Sequence, residues 1–161
     1  DNLKAGLDTI LKAIDYVTLG RRLQMAHETA CQPVCRKYDL NTTMLTVLLF
    51  CALHPEQNTA RDLCEMRGLK SSIVSVAVEQ LIRRGLMRRE ADAGDRRVHR
   101  LVPTPEADEV IQAGLRAQQA FQTRLRAGIS QEETAVFERV MQKLQTNIDR
   151  EPEQEENHAL V

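Results

Sequence analysis

A chain of 161 residues and 18.3 kDa has room for one domain, or one subunit of a symmetric oligomer, and excludes a two-domain enzyme. With 42% hydrophobic, 28% charged and only 3% aromatic residues, and no tryptophan, it is neither a disordered tract nor a β-sandwich or aromatic-lined cleft, and an aliphatic helical core is expected. The net charge of −1 taken alone argues against a nucleic-acid partner, but residues 61–100 hold 10 basic against 6 acidic side chains while 151–161 hold none against 4, so without its tail the body carries about +3, concentrated where phosphates would be met.

Leu3, Leu7, Ile10, Ile14 and Val17 recur at intervals of four and three, the seam of a long first helix that packs along a partner helix. The seam rotates to Leu19, Leu23, Ala26 and Ala30, and Pro33 is expected to kink or interrupt the helix. A more buried helix follows Asn41 or Thr42 as cap, carries Met44, Leu45, Val47, Leu48 and Cys51, and ends near His54-Pro55. Thr59 and Asp62 resemble a capping box for a short helix that stops at Gly68. The next helix runs from about Lys70 to Arg84, with Ala77, Val78, Leu81 and Ile82 inward and Gly85 as its stop, which completes a helix-turn-helix.

Leu86–Glu90 and Arg97–Val102 read as two short strands around the turn Ala91–Asp95, a β-wing. Thr104-Pro105 opens a helix with Ala107, Ile111, Gly114, Gln118, Phe121 and Leu125 on one face. Ser130 and Glu133 form a capping box for a final helix bearing Phe137, Met141, Leu144 and Ile148. The expected class is mainly α: a winged helix-turn-helix with a two-stranded wing and N- and C-terminal dimerisation helices. Its parts are residues 1–38 for N-terminal dimerisation, 39–103 for the DNA-binding lobe, 104–150 for the C-terminal dimerisation helices and 151–161 as an acidic, disordered tail. The terminal seams exceed what the small lobe can cover, so a second copy is expected, with Leu3, Leu7, Ile10, Phe121, Phe137 and Met141 at the interface.

The longest charge-free stretch, Leu40 to Leu53, is too short and too rich in Asn and Thr to span a bilayer, so no membrane partner is expected. The start at Asp1 reads as trimmed and lacks the basic-then-apolar order of a secretory signal, and a cytoplasmic location is expected. Cys31, Cys35, Cys51 and Cys64 lie within apolar helical patterns and read as reduced thiols.

Lys70, Ser71, Ser72 and Ser75 cluster on the first turns of the second helix of the motif, where N–H groups and hydroxyls can meet phosphates and base edges. Arg88, Arg89, Arg96, Arg97, His99 and Arg100 gather around the wing turn, and guanidinium groups on a narrow hairpin suit a minor groove. Asp95, two residues before Arg97, is expected to support that side chain. Solvated serines and a charged edge hairpin are the plainer alternatives, but helix and wing together point to double-stranded DNA.

The order of helices, the Asp95-Arg96-Arg97 wing followed by Leu101 and Thr104, and the entry Leu81-Ile-Arg-Arg-Gly85-Leu86 closely resemble the multiple-antibiotic-resistance regulator (MarR) family over roughly residues 5–150. The resemblance implies a homodimeric winged-helix transcription factor on a pseudo-palindromic operator, acting as a repressor and released by a small-molecule ligand or an oxidant. It assigns DNA contacts to Ser71, Ser72, Ser75 and Arg97, with Asp95 as support. Val76 and Gln80 stand where many relatives carry arginine, Pro103 where an aliphatic residue is common and Ala107 where glycine is common.

His27, Cys31 and Cys35 recur every four residues, followed by Cys51, His54 and Cys64, which raises a zinc or thiol sensor as an alternative. Without a Cys-x-x-Cys pair and with Pro33 between two of the thiols, buried core cysteines are the plainer reading. The resemblance places a redox cysteine near the start of the first helix, where this chain has none. No metal or cofactor is therefore assigned. The chain lacks a glycine-rich phosphate loop, a nucleophile elbow and a His-Glu-x-x-His pair, so no catalytic residue is assigned and an enzyme is not expected. The competing non-enzymatic reading is a winged helix used for protein–protein contact.

Overall fold

The computed structural model describes residues 2–95 and 97–150, with side chains from residue 15 onward. In chain order the elements are α1 (Asn2–Lys37), α2 (Thr42–Leu53), α3 (Ala60–Arg67), α4 (Ser71–Arg83), β1 (Met87–Ala91), β2 (His99–Pro103), α5 (Asp108–Leu125) and α6 (Gln131–Arg150), with a single 3-10 turn at Pro105–Ala107. The chain is mainly helical, with a two-stranded antiparallel wing, as its patterning predicts. The acidic tail, 151–161, lies outside the described residues. Among the described residues no helix is long and apolar enough to cross a membrane.

The described residues fall into two units, divided after Gln122. The first is built around α2, which is apolar on all sides: Met44, Leu45, Val47, Leu48, Leu49, Phe50 and Cys51 are all buried. Asn41 starts it by accepting a hydrogen bond from the Met44 N–H at 2.8 Å, which satisfies one of the donors a helix start leaves open. Val74, Ala77, Val78 and Leu81 of α4 join the same core, together with Leu63 of α3, Met87 of β1 and Leu101 of β2.

Of the two outcomes expected at Pro33, a kink or an interruption, the interruption does not occur: α1 continues through it to Lys37. Cys31, Val34 and Cys35, on either side of it, are buried in the core, and that burial outweighs one missing backbone hydrogen bond. Between residues 15 and 26, by contrast, α1 is exposed throughout, with Tyr16 and Val17 each 70% exposed.

The capping boxes form as their spacing predicts. The Thr59 and Asp62 side chains each accept from the other's backbone N–H, at 3.1 and 2.9 Å, and Ser130 and Glu133 do the same at 3.1 and 2.8 Å. Gly68 and Gly85 end α3 and α4 at φ of 62° and 71°, a left-handed conformation that a side chain would strain. Thr104 holds the expected N-cap position with Pro105 directly after it, but its hydroxyl donates to the Gly85 carbonyl at 2.5 Å instead of capping the helix, and ties the end of the wing to the end of α4. The first turn, Pro105–Ala107, is 3-10, and α5 continues from Asp108.

α5 comes close to α2 at Gly114. A Cβ placed there would lie 2.9 Å from Leu49 Cδ1 and 3.1 Å from Leu45 Cδ1, both in fully buried side chains. Gly114→Val is expected to lower stability by about 1–3 kcal/mol, since branched atoms would have to displace packed leucines. Urea unfolding followed by circular dichroism measures this; an unchanged midpoint would mean that α5 does not pack as described.

In the second unit, α6 has no buried residue. Val136, Phe137, Val140, Met141, Leu144 and Ile148 are between 40% and 66% exposed. They recur at the spacing of one helical face.

Candidate nucleic-acid interface

α3, the turn at Gly68 and α4 form the helix-turn-helix, and the wing follows α4 directly. Val74, Ala77, Val78 and Leu81 hold α4 to the core by one face. Ser72 and Ser75 consequently project away from that face, Lys70 and Ser71 lie at the free end of the helix, and all four are exposed. Lys70 occupies the N-cap position, and no side chain caps the helix there. The first N–H groups of α4 thus remain available to an outside acceptor, where the helix dipole favours an anion.

In the wing, Met87 pairs with Pro103, Arg89 with Leu101 and Ala91 with His99. The strands lie one to two residues later than the sequence pattern suggests, because Asp92, Asp95 and Val98 close the turn themselves. The Asp92 N–H donates to the Val98 carbonyl at 3.0 Å, and the Val98 N–H to the Asp95 carbonyl at 2.9 Å. Asp95 meets Arg97 through the backbone: its Oδ1 accepts the Arg97 N–H at 2.9 Å. The carboxylate thereby fixes the turn and leaves the Arg97 guanidinium exposed, with no ion pair among the described residues. Arg96 lies outside the described residues.

The other described wing arginines, Arg88, Arg89 and Arg100, are engaged within the chain. Arg88 meets Glu90 at 2.6 Å and Arg89 meets Glu79 at 2.6 Å, all four side chains being about half exposed. Arg100 is a clasp. Its Nε–H donates to Asp92 Oδ1 at 2.6 Å and its Nη1 to the Glu56 carbonyl at 2.7 Å, while Asn58, buried, receives the Leu101 N–H on its carbonyl at 2.8 Å. The root of the wing is therefore tied to the loop before α3. The Arg100 guanidinium, with the Gly94 and Asp95 N–H groups, holds the Asp92 carboxyl below the usual carboxylate range. The clasp is complete above ordinary carboxylate pKa values and weakens only as pH falls through that lowered value. Sequence patterning missed this role of Asp92 and Arg100, although the pairing of an Asx turn with an arginine eight residues on was its available signal.

The expected interface residues lie in different settings. Leu3, Leu7 and Ile10 belong to α1 in the stretch whose side chains are outside the description. Phe137 and Met141 are 62% and 46% exposed on α6. Phe121 is 7% exposed, its ring edge-on to His27 with centroids 5.5 Å apart, and so has little surface left for a second copy.

Cys31 Sγ lies 3.8 Å from His27 Nε2. Burial, reinforced by neighbouring Cys35, pushes the Cys31 thiol up; burial also raises Cys35 against a hydrogen bond from Thr42, and pushes Cys51 up to about 12. Raised pKa values keep thiols protonated and unreactive. Among the described residues no three His, Cys, Asp or Glu side chains are placed to hold a metal ion. With a disulfide reagent at neutral pH, Cys64, the one cysteine that is not buried, is expected to react first, and the other three only on unfolding. Mass spectrometry of the adducts checks this, and early labelling of Cys31 or Cys35 would overturn it.

The fold and this arrangement define a winged helix-turn-helix protein. Residues 38–98 match the model of the MarR family, and this lobe is similar to that family. Among solved structures, the Staphylococcus aureus MepR–DNA complex is similar at 18% identity, with a TM-score of 0.73 over 83% of this chain and 96% of that one. The transcriptional regulator PA3341 matches at 26% identity and a TM-score of 0.68, over 81% and 98%. CouR from Rhodococcus jostii RHA1, bound to p-coumaroyl-CoA, matches at 24% identity and a TM-score of 0.66, over 81% and 86%.

Proposed function

We propose that the protein is a cytoplasmic, sequence-specific DNA-binding transcriptional regulator. It acts as a repressor, binding a pseudo-palindromic operator as a homodimer, and is released by a small-molecule ligand. The observation that carries this reading is the exposed pair of features on one lobe: the uncapped, hydroxyl-bearing first turns of α4, and a wing that presents Arg97 with no ion-pair partner among the described residues.

In this reading Lys70, Ser71, Ser72 and Ser75 enter the major groove with the N-terminus of α4, and Arg97 enters the neighbouring minor groove with Asp95 as its support. Arg96 adds to the wing's charge. Arg88 contributes by exchanging Glu90 for a phosphate, an exchange favoured because a half-exposed ion pair is weak. The exposed apolar positions of α1 and α6 support a second copy, with residues 1–38 and 104–150 supplying the dimer contacts around the lobe at 39–103. MepR was solved with DNA and CouR with an acyl-CoA, which supports both the duplex partner and a ligand-controlled release. The family consists of regulators rather than enzymes, and the proposal assigns no catalytic step.

Fluorescence anisotropy of a labelled duplex from upstream of the protein's own gene, beside a scrambled duplex, tests this across a salt series. Selective binding is expected, with log K falling against log salt at a slope of about −7 if roughly four phosphates are neutralised per subunit. Equal, weak binding to both duplexes would overturn the reading.

A further inference from the structure

One residue on the outward face of α4 has no evident part in the fold. Val76 is 58% exposed, on the side opposite Val74 and Val78, which are buried. A β-branched residue is a poorer helix former than alanine, and its methyl groups gain nothing from water. Ile73, one turn earlier, is 44% exposed. The two line a shallow depression between α4 and the start of α2, with Ser72, Ala77, Asn41 and Thr43. Ser72 lines the same depression, and Ser75 and Lys70 are exposed on the first turns of the same helix, the surface that the proposed function sets against the major groove.

An apolar group on a surface otherwise chosen for phosphate and base edges needs an apolar counterpart, and the major groove offers one: the C5-methyl of thymine. We infer that Val76 is a specificity-determining residue that contacts a thymine methyl in each half-site, so that this position requires an A·T pair. Ser72 lies four residues before Val76 and therefore on the same helical face. Its hydroxyl, both donor and acceptor, reaches the base edges beside that methyl. An arginine at position 76 would favour guanine instead. The inference rests on the DNA-reading function proposed above.

The test begins by enriching bound duplexes from a pool with a random core, using the full chain. In an enriched duplex each thymine is then replaced singly by uracil, which removes only the methyl group. At one position per half-site, uracil is expected to weaken wild-type binding about fourfold, the loss corresponding to one buried methyl. Val76→Ala should weaken binding to the thymine duplex by the same factor and be indifferent to uracil at that position. The variant is expected to fold, since the position is exposed and alanine favours the helix. Wild type that tolerates uracil everywhere, or a variant that retains the full uracil penalty, would overturn the role of Val76 while leaving DNA reading intact. Failure to enrich any duplex would overturn both.

Discussion

Phe137→Glu combined with Met141→Glu is expected to convert the proposed homodimer into a monomer, raising the dimer dissociation constant by at least about a thousandfold. α6 contributes no buried residue, and six large apolar side chains recur along its exposed face. In a two-fold interface each substitution counts twice. Truncating an aromatic anchor at an interface costs about 2–4 kcal/mol, and about 4 kcal/mol in total already corresponds to a thousandfold. A buried carboxylate adds to the loss. Sedimentation velocity at micromolar concentration reads the outcome directly, while helix content by circular dichroism should persist, because these side chains support nothing else in the second unit. Wild-type protein sedimenting as a monomer would overturn the homodimer, and a dimeric double variant would remove α6 from its interface.

The second large effect is expected from the contrast between two wing arginines. Arg97→Ala should lower duplex affinity about tenfold per subunit and flatten the salt slope by about 1 per subunit, with Tm unchanged, because the side chain is exposed and unpaired within the described residues. Arg100→Ala should lower both affinity and Tm. It leaves the Asp92 carboxylate and the Glu56 carbonyl without their guanidinium donor, and an orphaned charged partner costs more than an exposed contact. The wing then loses the tie that positions Arg97. Anisotropy and thermal melts on the same preparations separate the two. Equal loss of affinity with Tm unchanged in both variants would mean that Arg100 also faces the nucleic acid and that the clasp is dispensable.

The elements legible in the chain are those governed by neighbours in sequence. Asn41, the Thr59–Asp62 and Ser130–Glu133 boxes and the stops at Gly68 and Gly85 act within three or four residues, so their spacing alone places the helix ends. The inward face of α4 follows from helical period, and so does the exposure of Ser72 and Ser75 opposite it. The wing was legible as a hairpin, but its register was not, since Asp92 and Asp95 close the turn by side-chain and backbone bonds that composition does not rank.

What the tertiary structure alone decided is which of several similar residues is engaged. Arg88, Arg89, Arg97 and Arg100 are indistinguishable as charges in a sequence. Arg89 meets Glu79 only because α4 and β1 are adjacent, and Arg100 meets Glu56 and Asn58 only because the loop before α3 lies along β2. Likewise Phe121 fits a dimer seam by its spacing, yet it is buried against His27. Pro33 reads as a kink or a break, and the burial of Cys31, Val34 and Cys35 carries α1 through it without a break. Local pattern determines where a helix starts and which face is apolar. Contacts between residues far apart in the chain determine what covers that face and which charges are left exposed, because those energies depend on distances that no spacing along the chain encodes.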